Sequence, residues 1–196
     1  RLIFLSNRPR SRYHYQGKPP VTAGLAATTK IMIRQLFNKL GTTIYVQIWE
    51  HRLKITDMAT GNIFDQKPLV ALQSGKNGKS VIVAFGDLAA KSVSGDIELI
   101  NPFSHQRVLF SNFMAGELLL QKAIKELLGD NLISPTPAIV LHPMEKTEGG
   151  LTMIEVRAFR ELAAGAGGRD SVIYQGRELS VDEINFKSLK ESAGEQ

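Results

Sequence analysis

The chain has 196 residues, 43% hydrophobic and 22% charged, which suits one soluble domain, or one plus a short appendage. Its Leu, Ile, Val and Phe content excludes disorder for the bulk. It has no run of about 18 apolar residues to span a membrane, and the absence of cysteine excludes disulfides, a thiolate zinc site and a cysteine nucleophile. The net charge of +5 is uneven: residues 1–40 carry eight Lys or Arg and no acid, whereas residues 41–196 hold 16 basic against 19 acidic residues, a net of −3. Such asymmetry points either to an acidic partner at one end or to a solvated basic tail.

Residues 1–31 read as a basic extension of uncertain nativeness. Arg1 to Leu5 suits a short strand, and Ser6 to Pro20 is a loop in which Pro9, Pro19 and Pro20 break any helix. No secretory signal is expected, because the apolar run is short and arginines follow it. The first methionine is Met32, so the preceding segment reads as a fragment, a fusion remnant or an upstream extension. From Ala23 to Leu40 the pattern turns helical: Ile33, Leu36, Phe37 and Leu40 share a face beside Arg34 and Lys39, and Gly41 stops the helix. A basic amphipathic segment of this kind serves a membrane interface or packs on its own domain.

Strands follow. Thr43 to Ile48 and Leu53 to Thr56 read as a hairpin, and Leu69 to Leu72 with Ser80 to Phe85 as a second, joined through Gly75, Asn77 and Gly78. Gly86 to Ala90 reads as a short helix, with strands at Asp96 to Ile100 and Arg107 to Phe110. Asn112 to Leu128 is a helix with Phe113, Leu120, Ile124 and Leu127 as its buried stripe and Gly129 as its stop. Ala138 to Leu141 reads as a central strand. Leu151 to Ala164 is a second helix, with Ile154, Ala158 and Leu162 on its inner face. Ser171 to Tyr174 is the last strand, and Ser180 with Glu183 suggests a capping box for a short final helix. The expected fold class is α/β, a mixed sheet with helices.

Several motifs fall short of chemistry. Ser74 to Ser80 looks like a phosphate loop, but Gln73 stands where its first glycine belongs and a strand follows instead of a helix. A glycine-rich hairpin turn is the expectation there. His14, His51, His105 and His142 show no ligand spacing. Glu155 and Glu161 beside Arg157 and Arg160 read as surface ion pairing. Pro143 to Gly150 follows the central strand, where open sheets favour ligands, and reads as a plain strand-to-helix loop.

The run Glu155-Val-Arg157-Ala158-Phe-Arg160-Glu161, closing with Gly165-Ala166-Gly167, resembles the rod-shape-determining actin-like protein family, MreB. Ser134-Pro135-Thr136-Pro137 leading into Ala138 to Leu141 is similar to the family's strand opening. Val83 to Ala90, Gly95 to Phe103, and Lys67-Pro68-Leu69-Val70-Ala71 resemble further family segments, in order, over roughly residues 32 to 175. The resemblance implies the first lobe of the actin/ribonuclease-H-like fold over residues 42–196, preceded by a membrane-binding helix at 32–41. In that helix Ile33, Leu36, Phe37 and Leu40 would insert, and Arg34 and Lys39 would meet anionic lipid.

The departures from the family pattern imply more. Gln47-Ile48-Trp49-Glu50 falls where the family has an Asp-Leu-Gly-Thr phosphate and metal loop, and the register through Leu40-Gly41-Thr42-Thr43 puts Lys39 in place of the carboxylate. The glutamate pair that positions the attacking water falls at Gln175 and Gly176, and the second phosphate loop has no counterpart. A degenerate single lobe follows as the expectation: no ATPase activity, no cofactor, no metal, and a cytoplasmic setting that extends to the inner-membrane surface. Its partners would be itself or MreB-type filaments.

The alternatives are a nucleotide-binding fragment that needs a partner lobe, and a nucleic-acid module using the basic N-terminus with Tyr13 and Tyr15 for stacking. Leu2 to Arg8 with Ala23-Gly24-Leu25 also resembles the opening of trehalose-phosphate-synthase-type glycosyltransferases, over about thirty residues that hold none of the catalytic lobes.

Overall fold

Two sheets and three α-helices make up the computed structural model, which describes residues 42–75, 80–129 and 136–194. The amphipathic segment at 32–41 and the extension before it lie outside the described residues. The larger sheet has the order β3-β2-β1-β7-β8. β1 (Thr43–Ile48) and β2 (Leu53–Asp57) form the expected hairpin, with Val46 opposite Ile55. β7 (Ala138–Pro143) lies parallel to β1 and is flanked on its other side by β8 (Asp170–Ile173), so it is central as its apolar run implied.

β3 (Ile63–Gln66) pairs antiparallel with β2 and was not legible beforehand. It has four residues, two of them polar, too few to show an alternation. Its position is set by the turn before it. The Asp57 carboxylate accepts the Ala59 N–H at 3.0 Å and the Thr60 hydroxyl at 2.7 Å, and Gly61 takes a left-handed φ of 77°.

The smaller sheet has β4 (Val70–Ser74) between β5 (Ser80–Phe85) and β6 (Ile97–Ile100), all antiparallel. β4 and β5 pair antiparallel with Ser74 opposite Ser80, as the second hairpin was expected to, and residues 76–79 of the phosphate-loop-like segment lie outside the described residues. The short helix expected at Gly86 to Ala90 is a 3-10 helix, Gly86–Lys91.

Helix α1 (Phe113–Leu128) starts where Asn112 accepts the Ala115 N–H at 3.0 Å, a cap typically worth about 1 kcal/mol. It buries Ala115, Gly116, Leu119, Leu120, Ala123 and Ile124, while Phe113 and Leu127 are only half-buried. At Gly116 a Cβ would stand 3.4 Å from Phe103 and 3.5 Å from Leu162, ordinary van der Waals contact, so α1 packs on both neighbours here.

Helix α2 (Met153–Gly165) opens on a capping box between Thr152 and Glu155, which occupies the Glu155 carboxylate. The expected surface pairing is instead between Arg157 and Glu161, at 2.9 Å. The expected inner face is corrected as well. Phe159, Leu162 and Ala163 are buried, but Ile154 is 82% exposed. At about 100° per residue, Ile154 lies roughly 130° around the helix from that stripe. A 154-158-162 spacing therefore drifts off the core side.

The expected strand at Arg107 to Phe110 is not one. Its main chain bonds locally instead of joining a ladder: the Arg107 N–H donates to His105 Nδ1 at 3.2 Å, and the Ser111 N–H to the Pro102 carbonyl at 2.8 Å. The loop still buries Leu109, and the Phe110 ring meets Phe159 at 4.4 Å between centroids.

One face of the large sheet presents Ile44, Val46, Ile48, Ile139 and Leu141 to a core shared with Leu119, Leu120, Phe159 and Leu162. Tyr45 and Gln47 alternate onto the other face, yet both are buried. The segment after β8 meets that face, since the Leu179 N–H and the Glu178 side chain reach Tyr45 and Gln47. A 3-10 turn at Val181–Glu183 carries the expected Ser180–Glu183 capping box. Helix α3 (Phe186–Gly194) then lies against β8 and β7, with Lys190 reaching Asp170 at 2.5 Å.

Candidate functional site at the carboxyl ends of the parallel strands

β1, β7 and β8 run parallel, so their carboxyl ends open onto one edge of the sheet. The structure brings all five of the singled-out positions Gln47, Trp49, Glu50, Gln175 and Gly176 to this end, in two groups.

Gln47 is buried, and its Nε2 donates to Glu178 Oε1 at 2.8 Å. Lys54, opposite Gln47 across the hairpin, stands 3.6 Å from the same carboxylate. The Gln47 hydrogen bond, with Lys54 and Arg52 nearby, holds the Glu178 carboxyl below the usual range. Trp49 begins the β1–β2 turn with its N–H on the Arg52 carbonyl at 2.9 Å. The Arg52 guanidinium sits 5.1 Å from the indole centroid and forks onto Asp65 at 2.8 and 2.6 Å.

Glu50 is held at three points. Its carboxylate pairs with Lys146 at 2.7 Å, its N–H donates to Glu145 Oε2 at 2.8 Å, and its carbonyl accepts from Asn101 Nδ2 at 2.7 Å. The Lys146 hydrogen bond lowers the Glu50 pKa. Lys146 also reaches the His105 carbonyl and takes a left-handed φ of 57°, uncommon for a side-chain-bearing residue.

The second group lies on the loop after β8. Gln175 Oε1 accepts the Leu151 N–H at 2.7 Å, fixing the approach to α2. Gly176, at φ 148°, has no room for a Cβ, which would stand 2.8 Å from the Tyr174 hydroxyl. Its carbonyl is 3.1 Å from His142 Nε2. A carbonyl only accepts, so Nε2 carries the proton and Nδ1 accepts from the Tyr45 hydroxyl at 2.7 Å. The His142 ring also meets Tyr174 edge-on at 4.8 Å. Burial lowers the His142 pKa and pushes the Tyr45 hydroxyl up to about 12.

Sequence reasoning missed His142, Glu145, Lys146 and Glu178. His142 looked isolated because its partners sit 97 and 34 positions away. Only the parallel register of β1 on β7 brings them together. Among the described residues no cluster of three or more His, Cys, Asp or Glu is arranged to hold a metal, and no helix is long and apolar enough to cross a membrane. The predicted membrane-binding residues Ile33, Arg34, Leu36, Phe37, Lys39 and Leu40 lie outside the described residues.

The fold is that of actin-like proteins. MreB 5 of Spiroplasma citri, in a crystal structure bound to AMPPNP, matches with a TM-score of 0.54 at 19% identity, over 69% of this chain and 38% of that one. A non-polymerising MamK mutant bound to AMPPNP matches with a TM-score of 0.54 at 12% identity, over 69% of this chain and 41% of that one. In sequence, the cell shape-determining protein MreB of Pasteurella multocida is 28% identical over 114 residues, 56% of this chain and 31% of its own length. The uncharacterized protein YjaA of Escherichia coli (strain K12) is 37% identical over 86 residues, 41% of this chain and 65% of its own. The chain thus spans less than two thirds of either relative. No protein-family model matches it.

Proposed function

We propose that residues 42–194 are a non-catalytic actin-like domain serving bacterial cell shape or cytoskeletal organisation through protein–protein contacts. Its partners would be MreB-type filament proteins or further copies of itself, in the cytoplasm. The likeness to MreB in sequence and to MreB and MamK in fold supports the cytoskeletal setting.

One observation carries the non-catalytic reading. At the β1–β2 turn, where the resemblance puts a phosphate loop, the Glu50 N–H is already bound by the Glu145 carboxylate at 2.8 Å. Phosphate sites need free amides facing the anion. Here a triphosphate would have to displace one carboxylate and lie beside a second, Glu50. The expected result is no phosphate release from ATP with magnesium and no change in Tm at millimolar nucleotide. A nucleotide-dependent rise in Tm that disappears in Gln47→Ala would overturn the proposal.

The AMPPNP-bound neighbours favour a second reading, a half-site completed by another lobe. Nucleotide protection seen only after adding a full-length MreB would select it.

We also propose that residues 32–41 attach the chain to the inner membrane surface, on the strength of their basic amphipathic pattern. Liposome co-sedimentation checks this with the full chain, a version starting at Met32 and one starting after Gly41. The first two should pellet with anionic vesicles and the third should stay in solution. Equal pelleting of all three would remove the membrane role.

A further inference from the structure

β3 ends the five-stranded sheet beside a groove. The groove, of about 460 Å³, is lined by Asn62, Ile63, Phe64, Asp65 and Gln66, with Glu126 and Leu127 of α1 on its opposite bank. Successive side chains of a strand point to opposite faces, so a groove on one face would touch alternate residues. Contact with five in a row means that this groove follows the main chain along the edge. β3 is the end strand of its sheet, and among the described residues no strand lies on that side of its backbone.

The ladder shows which groups point into the groove. The Asp57 N–H donates to the Asn62 carbonyl at 2.9 Å, which sets the phase of the β2–β3 pairing. In an antiparallel ladder directly bonded pairs alternate with unbonded ones. Asn62, Phe64 and Gln66 therefore bond towards β2, and the N–H and C=O groups of Ile63 and Asp65 face outward. The β1–β2 ladder agrees: the Trp49–Arg52 and Thr43–Met58 bonds place Lys54 and Thr56 towards β1, leaving Leu53 and Ile55 for β3.

The geometry points to strand addition: an extended segment of a partner protein lies in this groove, bonds to the main chain of Ile63 and Asp65, and reaches Glu126 with a Lys or Arg. Extended backbone is the conformation that satisfies alternating outward donors and acceptors. Two observations give the segment its chemistry. Leu127, half-buried on the α1 side, offers apolar contact to the face of the segment that turns towards α1, and Ile63, 56% exposed on the opposite side of the sheet from Phe64, offers it to the other face. The ionisable lining is entirely acidic. Asp65 is clasped by Arg52, whereas the Glu126 side chain makes no hydrogen bond or ion pair among the described residues. A second copy of β3 fits poorly, because it would bring its own Asp65 into this acidic groove. The inference does not depend on the fate of the nucleotide reading, which concerns the ends of the parallel strands.

The test uses the whole chain and a blocked hexapeptide, Thr-Val-Lys-Val-Thr-Lys, with a Glu-for-Lys version and an N-methylated version as comparisons. Amide exchange by NMR should slow at Ile63 and Asp65 and stay unchanged at Phe64. By fluorescence anisotropy the Lys peptide should bind, and E126K, checked for unchanged Tm, should weaken it about fivefold. The N-methylated peptide should not bind. Unchanged exchange at Ile63 and Asp65 with millimolar Lys peptide would overturn the proposal. So would equal binding of the Glu peptide, or protection that grows with protein concentration in the absence of peptide.

Discussion

Phe159→Ala is expected to cost about 3–5 kcal/mol, the usual range for emptying a buried aromatic site. Phe159 is 1% exposed and lies in the shared core with the Phe110 ring tilted against it at 4.4 Å between centroids. It is the side chain through which α2 and the 105–111 loop meet, so its removal opens a cavity between two elements instead of trimming one. A small domain commonly has a total of about 5–15 kcal/mol, so this single truncation approaches the limit of folding. Urea denaturation checks it through a lower midpoint at unchanged slope. A loss below about 1 kcal/mol would mean that the site collapses around the gap.

His142→Ala should cost about 3 kcal/mol at neutral pH, for a different reason. The substitution strands the Tyr45 hydroxyl and the Gly176 carbonyl, each of which bonds to the ring. The cost should also depend on pH. Burial holds the His142 pKa below its ordinary 6.5, so the unfolded chain takes up the proton first as acid is added. The stability contributed by the neutral ring is complete above 6.5 and lost as pH falls through the folded value. The gap between wild type and variant should therefore narrow between neutral and acidic pH. Urea midpoints at pH 7.5, 6 and 5 measure it, and a constant gap would contradict a neutral ring bonded between Tyr45 and Gly176.

The sheet's framework was readable because its signals are local. The β1–β2 hairpin shows a period of two, the β7 run sits between prolines, and Asn112, Gly129, Ser180 and Glu183 mark element ends by capping chemistry. What escaped is set by tertiary partners. The Arg107 to Phe110 stretch has strand composition, but its Arg107 and Val108 amides bond to His105 Nδ1 and the Ser111 amide just after it to the Pro102 carbonyl, instead of to a ladder. Ile154 is apolar and helical, yet it lies around the helix from the stripe that Phe159, Leu162 and Ala163 bury. At the candidate site the resemblance picked out Gln47, Trp49 and Glu50. Their partners Glu178, Arg52, Glu145 and Lys146 are fixed by register and loop geometry that no short motif encodes.

The parallel pairing of β1 with β7 also governs how the domain is made. Ile44 and Ile139 face each other across 95 residues of chain. β1, β2 and β3 can form a meander early, because their contacts are local. Their apolar side then stays wet until synthesis has passed β7 and β8. Closing so long a loop is slow and leaves sticky surface exposed meanwhile. Nascent chains stopped before Ala138 should therefore depend on chaperones, and a rearrangement that joins β7 directly ahead of β1 should speed refolding.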